Sequence, residues 1–91
     1  MTTPLQANKV TKDSIRARIA KTECAINGKL TIAFITMVNG FQIVGISACV
    51  DPANFNQADG ERYAVENAIE KLWELEGYLL QEHLYQLSLH K

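Results

Sequence analysis

Amide, hydroxyl, basic and aromatic side chains of the kinds that hold nucleotides flank one apolar stretch of this chain. Ser47, Asn54, Asn56 and Asn67 supply amides and a hydroxyl, Arg16, Arg18, Arg62 and Lys71 supply positive charge, and Phe41 and Phe55 supply rings. Amides read base edges and hydroxyls, guanidinium groups grip phosphates in two-pronged contacts, and an aromatic ring stacks on a base. Each residue also has a structural reading, because loops and helix caps use the same types. Arg16, Arg18 and Lys21 suit a solvated helix face. Asn67, on an apolar flank between Ala64 and Ala68, wants a partner and can find one in a neighbouring backbone group.

Groups suited to bond-breaking chemistry are harder to find. The sequence has no glycine-rich phosphate loop, no Gly-x-Ser-x-Gly elbow, no paired histidines at helical spacing and no cysteine with a suitably placed histidine. Glu61, Glu66, Glu70, Glu74 and Glu76 share a helix with Arg62 and Lys71 and read mostly as a solvated face. Cys24 and Cys49 read as reduced thiols buried in strands, and His83 and His90 lack metal-ligand spacing. A non-enzymatic protein without metal or cofactor is expected.

The elements that must position these residues are organised around the run from Asn39 to Val50. Asn39-Gly40 is a strong hairpin signal, and the β-rich run after it stops at Asp51-Pro52, since proline cannot donate to a ladder. A second Asn-Gly, Asn27-Gly28, precedes another β-rich run. Two such turns predict a three-stranded antiparallel meander over about 21–26, 29–38 and 41–50. Two-residue type I′ loops would set Ile26 against Lys29 and Val38 against Phe41. That register puts Phe34 across from Gly45, with Phe41, Ile43, Gly45, Ser47 and Cys49 on the face of Leu30, Ile32 and Phe34. Thr31, Ala33, Ile35 and Met37 would share the other face with Val44, Ile46 and Ala48.

Helices flank this meander. Thr11 reads as the N-cap of a short N-terminal helix carrying Ile15 and Ile19, with Val10 as a staple. A long C-terminal helix is predicted over about 57–76, capped by Asn56, with Val65, Ile69, Leu72 and Trp73 at helical spacing. Ala64 and Ala68 keep one flank thin enough for close approach. Gly77 is either a stop or a close-contact point, and a further helical segment follows it. The fold class is α+β, with a flexible tail over residues 1–9 and a single domain over 10–91.

Ninety-one residues, a net charge of −1 and 47% hydrophobic residues fit one small globular domain. They argue against a nucleic-acid polymer as partner, which would call for a strong basic field. There is no signal-peptide pattern and no run of ~20 apolar residues, so a cytoplasmic protein without a membrane partner is expected. Both sheet faces are apolar while one long helix is available to cover them, which predicts a homo-oligomer. The competing arrangement is a monomer in which the first helix or the C-terminal segment folds over the second face.

Asn39-Gly40-Phe41, Ser47-Ala48-Cys49, Pro52-x-Asn54-Phe55 and Lys71-Leu72-Trp73-x-Leu75-Glu76-Gly77-Tyr78-Leu79-Leu80, in that order, resemble a family of small tailed-phage proteins that includes the phage anti-Thoeris sponge proteins. The resemblance covers roughly Val10 to Leu84. It implies a protein of the infected host's cytoplasm that binds and sequesters a cyclic ADP-ribose isomer, an immune signal, without cleaving it. It also implies assembly into a dimer or hexamer with nucleotide pockets between protomers. On chemistry and position, Phe41 would stack, Asn54 and Asn67 would contact base or ribose, and Arg16, Arg18 or Lys71 would meet the pyrophosphate, with Ser47 beside them. The other function open to such a chain is a protein interaction or inhibitor module without a small-molecule ligand.

Overall fold

A computed structural model describes residues 9–51, 53 and 55–90. The expected tail, apart from Lys9, and Asn54 lie outside the described residues. The elements run α1 (Lys12–Ala17), β1 (Ile19–Asn27), β2 (Leu30–Met37), β3 (Gln42–Ala48) and α2 (Gln57–Ser88). The strands form one antiparallel sheet in the order β1-β2-β3, as the two Asn-Gly pairs predict.

Local chemistry starts each helix where expected. The Thr11 hydroxyl accepts from the Ser14 amide while the Ser14 hydroxyl accepts from the Thr11 amide, a reciprocal capping box. Val10 packs against the cluster that contains Ile15, as a staple should. Asn56 caps α2 by accepting from the Asp59 amide at 3.1 Å, and Asp59 sits in the first turn, where the helix dipole favours negative charge. The predicted long helix and the segment after it are one continuous helix of 32 residues. Gly77 neither stops it nor meets a neighbour, since a Cβ built there finds nothing within 4 Å.

The register differs from the expected one. In the first hairpin Asn27 pairs with Leu30, so the loop is Gly28-Lys29, with Gly28 at φ +61°, and Ile26 faces Thr31 in place of Lys29. In the second, the Gly40 amide donates to Met37 O and the Met37 amide to Phe41 O. This makes a three-residue loop, Val38-Asn39-Gly40, with Gly40 at φ +90° in the left-handed region that glycine tolerates. The extra residue shifts β3 by one, so Phe34 faces Val44, and Gly45 faces Ala33. A shift of one turns a whole strand over. Ile43, Gly45 and Ser47 therefore join Thr31, Ala33, Ile35 and Met37 beneath α2, while Val44, Ile46 and Ala48 join Leu30, Ile32 and Phe34 on the opposite face.

Gly45 is where helix and sheet come closest. A Cβ there would lie 2.0 Å from the Ala64 carbonyl oxygen and 2.8 Å from the Ala68 Cβ. The thin alanine flank of α2 sits on this bare backbone, and Ala64 and Ala68 are fully buried. Ile15, Ile35, Met37, Ile69 and Leu72 complete one core on that side of the sheet. Helix α1 contributes Ile15 to the same core, so it does not cover the second face. There Leu30, Phe34, Val44 and Ile46 remain 39–47% exposed. The molecule measures 60 × 20 × 17 Å, its length set by α2, which spans about 48 Å. No helix among the described residues is long and apolar enough to cross a membrane.

Candidate functional site

Three elements converge beside the open end of the core. Arg18 caps the C-terminus of α1, where its amide donates to Ile15 O at 3.0 Å and its carbonyl accepts from the Val38 amide at 2.8 Å. The second hairpin loop brings Asn39 and Phe41, and Asn39 Oδ1 pins the loop by accepting from the Phe41 amide at 3.0 Å. Helix α2 adds Leu72, Leu75, Glu76 and Leu79, three or four residues apart on one side, with Tyr78 and Glu82 next to them. Together they line a groove of about 260 Å³.

Charge at its base is unevenly satisfied. Arg18 Nε donates to Glu76 Oε1 at 2.9 Å, with the two side chains only 16% and 6% exposed. Glu76 Oε2 is fully buried and has no hydrogen-bond partner among the described residues. A buried carboxylate oxygen left without a donor is costly, since the group has given up its water. Glu76 was expected on a solvated face and is instead buried. Its position four residues after Leu72 and four before Leu80 puts it on the buried stripe of α2, and that spacing was the available signal.

The remaining expected site residues fall elsewhere. Arg16 and Lys12 both reach Glu66, at 3.3 and 2.9 Å. The hydrogen bond from Lys12 holds the Glu66 carboxyl below the ordinary carboxylate range, and the charges of Lys12, Arg16 and Arg62 add to this. Arg16 also lines a shallow hollow of about 430 Å³ with Thr22, Cys24 and Arg62. Burial, with Glu61 nearby, pushes the Cys24 thiol up, away from the thiolate that nucleophilic chemistry needs. Both cysteines are free thiols, each half-buried. Ser47 opens into a smaller cavity of about 160 Å³ at the start of α2, with Thr31, Phe55, Asp59 and Tyr63. Phe55 is thus at that cavity and not beside Phe41.

Asn67 and Lys71 are engaged with the outer edge of β3. Asn67 Oδ1 accepts from the Ile46 amide and Lys71 Nζ donates to Val44 O, both at 2.9 Å. The two side chains satisfy backbone groups that an edge strand otherwise offers to another chain. Of the expected set, the structure therefore brings Arg18 and Phe41 together, places Arg16 and Ser47 at two other hollows, and ties Asn67 and Lys71 to the sheet.

A match to a known family spans residues 7–84, most of the chain. This chain belongs to the phage protein (N4 Gp49/phage Sf6 gene 66) family. Membership in this family agrees with the expected resemblance to small phage proteins, and the matched span contains every element except the last turn of α2. No curated protein and no solved structure shows a significant match to the chain.

Proposed function

We propose that this phage protein is an anti-defence sponge: it binds a cyclic nucleotide immune signal, a cyclic ADP-ribose isomer, in the host cytoplasm and holds it without cleavage. The observation that carries this reading is the groove that Arg18 and Phe41, two residues suited to a nucleotide, line together. The groove is open and apolar, with Phe41 54% exposed and free to stack. A sponge works by mass action, so tight binding and slow release matter and turnover does not.

The assembly belongs to the same proposal. The sheet face bearing Leu30, Phe34, Val44 and Ile46 is an apolar patch that a second copy would cover, giving a dimer or hexamer. Arg16 and Ser47, which line separate hollows in one protomer, could then serve pockets completed by a neighbouring copy. The same patch favours one other reading, an interaction module that docks this face on a host protein and takes no small ligand.

Calorimetric titration with cyclic ADP-ribose isomers, followed by heat denaturation and recovery of the ligand, separates these. Saturable binding with intact ligand released supports sequestration, and a chemically altered ligand would make the protein an enzyme. Absence of heat with every isomer, together with a stable monomer by light scattering, would remove the sponge reading.

A further inference from the structure

We infer that the outer edge of β1 is an interface: it pairs antiparallel with β1 of a second copy about a two-fold axis at Thr22, with Lys21 of each copy against Glu23 of the other. This pairing stands whether or not a nucleotide binds, and it uses a different surface from the open sheet face.

The two edges of the sheet are finished differently. On β3 the outward groups at Ile46 and Val44 are taken by Asn67 and Lys71. On β1 the outward groups are left open. The Cys49 amide donates to Lys29 O at 2.8 Å, so Lys29 turns toward β3, and alternation turns the backbone groups of Leu30, Ile32, Phe34 and Thr36 toward β1. Their partners Asn27, Ala25, Glu23 and Lys21 answer them, which leaves the N–H and C=O groups of Thr22, Cys24 and Ile26 pointing outward. Among the described residues no strand lies beyond them. Such a row of unpaired groups is a template for another strand. Helix α2 stands back from this edge, since Thr22 and Cys24 open into the hollow of about 430 Å³ that Arg16 and Arg62 also line.

Charge decides what pairs there. Lys21 and Glu23 lie on the open sheet face, beside Thr36 and Phe34. Within one copy Lys21 Nζ is 3.3 Å from Glu23 Oε1, with the side chains 63% and 62% exposed, a pair worth little where it is and free to re-form across a seam. An axis at Thr22 sets Lys21 opposite Glu23 twice, in the non-hydrogen-bonded positions where facing side chains come closest, with Thr22 against itself. Neighbouring registers do worse. An axis at Glu23 sets that carboxylate against its own copy, and one at Cys24 sets Lys21 against Asn27 and Glu23 against Ala25. The strand is self-complementary in one register, which favours a second copy over a strand of another protein. Pairing joins the two sheets into one and lays the two hollows side by side, so that Arg16 and Arg62 of both copies line a single trough.

The test uses two charge reversals and sedimentation equilibrium. Lys21→Glu sets carboxylate against carboxylate twice, and Glu23→Lys sets ammonium against ammonium twice, so each alone is expected to weaken association about tenfold or more. Mixed in equal amounts, the two variants are complementary and are expected to associate at least as tightly as wild type, which an ion pair within one copy cannot bring about. Thr22→Pro removes an outward N–H without touching the β2 ladder and is expected to halve the mass of the wild-type assembly. Melting curves show that each variant is folded, and should Thr22→Pro not fold, the mixing experiment decides alone. A wild type that stays monomeric, single reversals that associate like wild type, or a mixture no tighter than its parts would overturn the edge pairing. Full mass in folded Thr22→Pro would overturn it too, and would leave the open sheet face as the interface.

Discussion

The two halves of α2 are built for different tasks, although they form one unbroken helix. From Gln57 to Leu72 it is bound to the sheet, with Ala64 and Ala68 seated on Gly45, Ile69 and Leu72 in the core, and Asn67 and Lys71 holding the β3 edge. From Trp73 onward most of its surface is free. Tyr78 is 74% exposed and Tyr85, Leu87 and Leu89 more than half exposed, and its one buried ionic group is left half-satisfied. The first half therefore fixes the helix on the sheet, and the second half leaves most of its surface open along the groove that Arg18 and Phe41 also line.

Substitutions can break this contrast, and the largest effect is expected at Gly45. A side chain in Gly45→Val must push α2 off the sheet, because even a Cβ falls 2.5 Å from the Ala68 amide nitrogen. A loss of about 3 kcal/mol or more is expected in urea unfolding. Next, Leu72→Ala should cost about 2–5 kcal/mol through the cavity it leaves, while Leu87→Ala on the exposed last turns should stay within about 0.5 kcal/mol. Equal costs for the two leucines would contradict the division of the helix.

Smaller effects sharpen the picture. Asn67→Ala uncovers the Ile46 amide on the β3 edge, with an expected cost of about 1 kcal/mol and more concentration-dependent association in light scattering. The weakest effect concerns Glu66, whose folded pKa is depressed by Lys12. Its contribution is present above the unfolded carboxylate pKa of about 4.3 and disappears as pH falls through the folded value. Wild type should thus lose melting temperature on acidification slightly more than Glu66→Gln does, and added salt should shrink the gap.

Much of this arrangement is legible in the residues, because it follows from local chemistry. Thr11 and Asn56 announce the two helix starts, the Asn-Gly pairs announce the meander, and Ala64 and Ala68 announce a close approach. Register was not legible for a physical reason. Asn-Gly fixes that a turn occurs but not where in the turn each residue sits, and the three-residue loop at Val38-Asn39-Gly40 was enough to turn β3 over. The groove was half legible: Arg18 and Phe41 stand out in the sequence and line it, whereas Glu76 looks like one more surface glutamate until its place on the Leu72–Leu80 stripe is weighed. The engagement of Asn67 and Lys71 depends on α2 lying along the β3 edge, a tertiary fact that no local pattern encodes.

Hydrogen exchange with and without a saturating cyclic ADP-ribose isomer tests most directly whether ligand meets the second half of α2. Slower exchange is predicted at residues 38–41 and 73–82, with residues 57–70 unchanged. Protection gathered instead around Ser47 and the start of α2, or none anywhere at saturation, would contradict it.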